Sequence, residues 1–171
     1  MSLVPLLLLS LFPALVIGAA MRDATSFTIP NWISAVAVVA FFPTALLAGV
    51  PVSGLGVCLG VGVAALALGI GMFALGWIGG GDAKLFAACG LWLGWPAVLP
   101  FLAWTALAGG ALAVGLLGAR KVALPVAVRG PAWMGRLLTP GGDVPYGVAI
   151  AAGALAAFPD SVVVHALRGI I

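Results

Sequence analysis

The chain has 171 residues, of which 64% are hydrophobic and only 6% are charged, with a formal net charge of +3. Charged residues make up roughly a quarter of an ordinary soluble domain, so this composition excludes a soluble globular enzyme, a disordered tail and a nucleic-acid-binding protein. The two cysteines, Cys58 and Cys89, are too few for a disulfide scaffold. A mean hydropathy of +1.32 instead predicts an all-α polytopic membrane protein, with one transmembrane domain over residues 1–171.

Long apolar runs follow one another along the chain. The first ends in small residues that resemble a signal-peptide cleavage site, but no Lys or Arg precedes it, as such a signal requires. Residues 83–118 are too many for one span and contain a turn at 94–96, which predicts two helices, the first too short to cross alone. Together the runs predict about six helices, over 3–20, 32–50, 55–78, 83–93, 97–118 and from Pro145 to a break at Pro159. A short interfacial helix is predicted over 126–138.

The basic residues set the predicted orientation. With the N-terminus outside, the loops that face the cytoplasm hold every Lys and Arg except Arg168, namely Arg22, Lys84, Arg120, Lys121, Arg129 and Arg136. The opposite topology would violate the positive-inside rule. Trp92 and Trp95 then fall near the outer interface, where an aromatic belt is expected, while Trp104 fits no belt and is expected to be packed.

Asp82 follows three glycines, Gly79, Gly80 and Gly81, and precedes the short apolar helix. An aspartate here could simply cap the helix, and three glycines could simply form a turn. The shortness of the helix favours a carboxylate at or below the inner membrane surface, where an acid is expensive and is a functional candidate. The glycines would then let a substrate backbone approach Asp82.

Asp23 ends the first predicted span on the same side as Asp82. It could be a loop acid paired with Arg22, an interaction worth little at a surface. If Asp23 and Asp82 instead face each other across the bundle, they cannot both ionise easily and therefore share a proton. One would activate water as a general base while the other protonates or polarises the scissile carbonyl. This aspartic-protease chemistry needs no metal and no cofactor.

The other residues that could carry out catalysis or bind a metal are less suited to it. His165 is the one histidine and lies on the opposite side, so a zinc site lacks ligands and a nucleophilic serine lacks a base. Cys58 and Cys89 are predicted to be buried small hydrophobic residues. Asp143 could be a third acid near the site, but a turn before Pro145 explains it, and Asp160 marks a helix break.

Three sequence motifs, taken together, resemble one family. Gly79-Gly80-Gly81-Asp82-Ala83-Lys84-Leu85 resembles the GxGD-x-K-[LF] motif of the type IV prepilin peptidases. Asp23 with Ile29-Pro30-Asn31 resembles the family's first motif, and residues 145–150 are similar to the start of its last helix. The resemblance implies that Asp23 and Asp82 are catalytic and that the supporting residues are Gly79, Gly81, Lys84, Pro30 and Asn31. Lys84 could pair with the carboxylate or with lipid phosphates, while Pro30 and Asn31 shape the start of the second helix.

The chain resembles the small, peptidase-only members that serve Flp-type tight-adherence pili. That resemblance implies cleavage of a prepilin's short, positively charged leader, after a glycine and just before the hydrophobic segment, at the cytoplasmic face of the bacterial inner membrane. The expected partners are the prepilin, the lipid bilayer and pilus or secretion assembly machinery, and no nucleic acid. Larger members add an N-terminal methyltransferase region with CxxC motifs, which we expect to be missing here, so N-methylation is not implied.

Two other classes of protein remain as alternatives. A small transporter or channel subunit would use its acids for proton or ion passage, although such acids are expected near mid-membrane, between broken helices. A non-enzymatic partner in a secretion complex would explain the glycine-rich helices but not the two aspartate motifs.

Overall fold

A computed structural model of the chain describes residues 3–122 and 131–170. Their helices, numbered in chain order, are α1 (Leu3–Ser26), α2 (Asn31–Leu47), α3 (Val52–Ala74), α4 (Gly80–Leu93), α5 (Val98–Val122), α6 (Ala132–Leu138), α7 (Tyr146–Ala157) and α8 (Val162–Ile170), with a 3₁₀ turn at Phe158–Asp160. No strand forms within these two ranges, which confirms the all-α prediction for them. The predicted interfacial segment 126–138 lies partly outside the described residues, and its described part contains α6.

Three helical stretches within the described residues are long and apolar enough to cross a membrane: Val52–Ala74, Val98–Lys121 and Tyr146–Gly169. The last of these runs through the 3₁₀ turn, so the helix interruption predicted at Pro159 is present. Large aliphatic side chains of α3 and α5 are exposed, as expected for helices surrounded by lipid. These features indicate a membrane protein. The count of six spans and the orientation with the N-terminus outside stay predictions.

Helix α4 forms the centre of the bundle. It packs mainly against α3, α2 and α7, and nearly every residue from Asp82 to Leu93 is buried. A helix that is apolar all round needs such an enclosed position. This explains how a helix of 14 residues, too short to cross a bilayer of about 30 Å, is stable here.

The tryptophan predictions were wrong at two positions. Trp92 is completely buried in α4, where its Nε1 donates a hydrogen bond of 2.7 Å to the Ala37 carbonyl oxygen and its ring stacks on Phe12. It cannot lie in an interfacial belt because the surrounding helices enclose α4. Trp104 is 52% exposed on the outer side of α5 and is not packed. The predicted burial of Cys58 and Cys89 is confirmed.

Three helix termini meet at one end of the bundle: the C-terminal end of α1 and the N-terminal ends of α4 and α7. Two arginines hydrogen-bond backbone carbonyl groups at this end of the bundle and thereby hold α6 and the segment that leads into α7 in place. The Arg120 guanidinium donates hydrogen bonds to the carbonyl oxygens of Leu137 and Asp143, at 3.1 and 2.7 Å, and the Arg136 guanidinium donates one to the Thr25 carbonyl oxygen at 2.9 Å.

Candidate active site

Asp23 and Asp82 line the same cavity, which has a volume of about 280 Å³. Asp23 comes from the end of α1 and Asp82 from the first turn of α4, and they are only 4% and 7% exposed. The rest of the cavity wall comes from Phe27, residues 76–79 and residues around the start of α7. The structure therefore brings together two acids that stand 59 positions apart in the printed sequence.

The sequence suggested that Asp82 precedes its helix. In the structure Asp82 lies inside the first turn of α4, because this helix begins at Gly80 with Gly79 as its N-cap residue. The Gly79 N–H donates a hydrogen bond of 3.0 Å to Asp82 Oδ2, which satisfies one of the amides left free at a helix start. Asp82 Oδ1 is enclosed and has no hydrogen-bond partner among the described residues. A buried carboxylate oxygen without a partner is costly when the group is ionised, and a proton on the carboxyl group would lower that cost.

Asp23 is held by the first turn of α7. The Gly147 N–H donates a hydrogen bond of 2.7 Å to Asp23 Oδ2, and the positive end of the α7 dipole favours a carboxylate there. A Cβ atom at Gly147 would lie 2.8 Å from Asp23 Oδ2 and 2.7 Å from the Cδ1 atom of Ile29. Only glycine therefore lets α7 approach Asp23 so closely. Gly147 belongs to the third motif but was not among the predicted site residues.

Gly81 brings the two aspartate motifs into contact. A Cβ atom there would lie 3.0 Å from the Cβ and 3.1 Å from the carbonyl oxygen of Ile29, the residue before Pro30. The expectation that the glycines leave room for a substrate backbone is wrong at Gly81, since the chain's own segment at Ile29 fills that space. Gly81 thus allows close packing between α4 and the segment that leads into α2.

Lys84 and Asn31 form a second link between the same two motifs. The Lys84 Nζ donates a hydrogen bond of 2.8 Å to Asn31 Oδ1, and both side chains are exposed. The partner of Lys84 in the structure is therefore an amide oxygen and not the Asp82 carboxylate. Asn31 is the first residue of α2, with Pro30 as its N-cap residue, so the contact joins the starts of α2 and α4 beside the cavity.

Asp143 and Phe27, which were not among the predicted site residues, also line the cavity. Asp143 was interpreted as a turn residue, yet it lies exposed on the cavity wall, and Arg120 holds its backbone there. Phe27 directly follows α1 and has a φ of +54°, a left-handed conformation that is uncommon for a bulky residue. It also lines a second cavity of about 200 Å³ that contains both aspartates. Nothing in the local sequence signals this role for Phe27.

Residues 10–114 match the family model described as the type IV leader peptidase family. The matched range contains both Asp23 and Asp82 and ends within α5, so the cavity residues at the start of α7 lie beyond it. Comparison with curated proteins and with solved structures gave no match.

Proposed function

Because the chain belongs to the type IV leader peptidase family, a family of peptidases, we propose that it is an aspartic endopeptidase that cleaves the leader from type IV, Flp-like prepilins. One observation carries this proposal: two buried aspartates from distant motifs line one cavity. Each is held through its Oδ2 atom by a backbone amide at a helix start, from Gly147 for Asp23 and from Gly79 for Asp82. Such fixed carboxylates suit general acid–base catalysis.

In the proposed mechanism the two carboxyl groups hold one proton between them, because two neighbouring buried carboxylates are costly to ionise together. The ionised group takes a proton from water as the water oxygen attacks the scissile carbonyl carbon. The protonated group donates its proton to the carbonyl oxygen, which gives a tetrahedral diol. The C–N bond then breaks as the group that took the water proton gives it to the leaving nitrogen, and the other group takes a proton from a diol hydroxyl, which restores the pair. Oδ2 of each aspartate accepts an amide hydrogen bond, whereas the enclosed Asp82 Oδ1 has no partner among the described residues, so a protonated, neutral carboxyl group costs less there than an ionised one.

We further propose that the cavity opens at the cytoplasmic face of a bacterial inner membrane. Three basic residues, Lys84, Arg120 and Arg136, lie at the end of the bundle that contains the aspartates, as the positive-inside rule favours for a cytoplasmic end. Asp143, exposed on the cavity wall, offers a negative charge to the basic residues of a leader. A prepilin bound in this way would lie with its leader in the cytoplasm and its hydrophobic segment in the bilayer.

Co-expression with a Flp-like prepilin tests this function. Wild-type protein should remove the leader, seen as a shift in substrate size, with the new N-terminus identified by mass spectrometry. Asp23→Asn and Asp82→Asn should each lower the rate by about 100- to 10,000-fold, the usual contribution of a general acid or base. Asp160→Asn is the matched control, because Asp160 is exposed in the 3₁₀ turn far along the chain from both motifs.

The possible results separate the two parts of the proposal. Absence of cleavage by wild-type protein that is folded and inserted in the membrane would overturn the function. Full activity of either Asp→Asn variant would overturn the two-carboxylate mechanism while leaving the peptidase assignment in place.

A further inference from the structure

An apolar groove of about 460 Å³ adjoins the aspartate cavity, and we call it the α3–α5 groove. Its walls are Leu68 and Met72 of α3 and the face of α5 from Leu102 to Ala113, with Phe86 of α4 between them. Helix α3 packs mainly on α4, while α5 packs mainly on α7, so the space between α3 and α5 is left open to the side. In a membrane protein, this opening faces the bilayer.

The groove and the aspartate cavity share part of their walls. Trp77, Ile78 and Tyr146 line both spaces. The cavity end is polar and is lined by Asp23, Asp82 and Asp143. An occupant that extends through both spaces must therefore have a polar region at the aspartates and an apolar region in the groove.

The face of α5 in the groove is suited to contact with another helix. Ala106, Gly110 and Ala113 lie there at spacings of four and three residues, the small-residue pattern that lets two membrane helices approach closely, whereas Gly109 is buried and faces Ala149 and Tyr146 of α7. A Cβ atom at Gly110 would meet no atom within 4 Å in the part of the chain that the structure describes, so space is open there above this glycine. From Leu102 to Ala113 the wall extends about 16 Å, which is the length of three helical turns.

We propose that the α3–α5 groove holds the first turns of the substrate's apolar helix, so that the peptide bond just before this helix lies at Asp23 and Asp82. This inference rests on the proposed function and specifies how the substrate is positioned. The continuity with the cavity favours a polypeptide over a lipid acyl chain, which has no polar backbone to place at the carboxylates. A lipid chain and a second copy of this protein are the competing occupants, and the experiments below distinguish them.

Filling the groove provides the first test. Gly110→Phe places a ring in the open space, whereas Gly115→Phe places the same ring on α5 at a position that does not line the groove and is also free of neighbours within 4 Å. In proteoliposomes, Gly110→Phe should lower kcat/KM for a full-length prepilin at least about tenfold, in the range that steric misfit in an apolar site produces. Gly115→Phe should retain the wild-type value. Equal activity of the two variants would overturn the groove assignment and leave the peptidase function standing.

Site-specific cross-linking is the second test, and it does not depend on the activity of the variants. A photoreactive amino acid at position 110 or 115 is introduced into the Asp82→Asn protein, which is then mixed in proteoliposomes with a prepilin of known mass. Position 110 should give an adduct with the prepilin's apolar segment, and position 115 should not. Adducts at position 110 only with lipid, or only with a second copy of the chain, would overturn the inference. If wild-type protein leaves the prepilin uncut, the proposed function itself fails, which is a distinct result.

Discussion

The Gly147 N–H donates a hydrogen bond of 2.7 Å to Asp23 Oδ2 and thereby joins the first turn of α7 to the end of α1. These residues are 124 positions apart in the chain. The contact is tight, since a single added carbon at Gly147 would lie 2.8 Å from that carboxylate oxygen. The position of Asp23 in the cavity therefore depends on α7, the helix furthest along the chain that lines the cavity.

Replacing Gly147 with alanine should separate α7 from Asp23. We expect Gly147→Ala to lower kcat about a hundredfold, because displacing a catalytic group by about 1 Å has this effect. The free energy of unfolding should fall by about 1–3 kcal/mol, the usual cost of overpacking. Gly118→Ala on α5 is the control, because a Cβ atom there meets no described residue within 4 Å. Full activity of purified Gly147→Ala would show that Asp23 does not depend on this contact.

The sequence singled out Asp23 and Asp82, which the structure places on one cavity wall, but it indicated less of what surrounds them. Asp23 and Asp82 could be found because acids are rare in an apolar chain and each stands in a short motif. Gly147 and Phe27 could not be found in the same way, because their importance comes from which helix ends meet in space. A glycine at a helix start looks the same in sequence whether it faces solvent or a carboxylate.

For the helices as well, the sequence indicates their positions better than their surroundings. Apolar runs predicted where most helices begin and end to within a few residues, since hydropathy depends on local composition. The same runs could not distinguish a helix enclosed by protein from one facing lipid, because both environments favour apolar side chains. Hydropathy therefore places Trp92 of α4 at an interface, although it is buried. It also predicts that Trp104 of α5 is packed, although this side chain is exposed.

The hydrogen bond between Lys84 and Asn31 should contribute modestly to stability. Because both side chains are exposed, we expect a coupling energy of about 0.5–1 kcal/mol between Lys84→Met and Asn31→Ala in a double-mutant cycle. The measurement is the free energy of unfolding of the protein in detergent. Lys121→Met, at the exposed end of α5, should be additive with Asn31→Ala. Additivity of Lys84→Met and Asn31→Ala would mean that this contact has no energetic role.

Leader cleavage should continue in the presence of a chelator. Within residues 3–122 and 131–170, no group of three or more His, Cys, Asp or Glu residues is placed to hold a metal ion. Two carboxylates acting on water require no metal ion. We therefore expect the same rate of cleavage before and after treatment of the purified protein with EDTA. A loss of activity that added Zn²⁺ or Mg²⁺ restores would contradict the two-carboxylate mechanism.

Asp143 is expected to act in substrate binding and not in bond cleavage. It lies exposed on the cavity wall, and among the described residues no helix-start amide binds its carboxylate as one does for Asp23 and for Asp82. A surface charge pair is worth up to about 1 kcal/mol, so Asp143→Asn should raise KM up to about fivefold for a prepilin with a basic leader. Its kcat should stay unchanged, because the two carboxylates that would transfer protons remain in place.

Leader charge distinguishes this role from a structural one. If Asp143 attracts basic residues, the difference in KM between wild-type protein and Asp143→Asn should disappear for a prepilin whose leader Lys and Arg residues are replaced by Gln. It should also shrink as the salt concentration rises, because salt screens charges at a surface. A change in KM that persists with the neutral leader would mean that Asp143 supports the cavity wall, where Arg120 holds its backbone. A large fall in kcat would instead place Asp143 among the catalytic residues and would require a three-carboxylate mechanism.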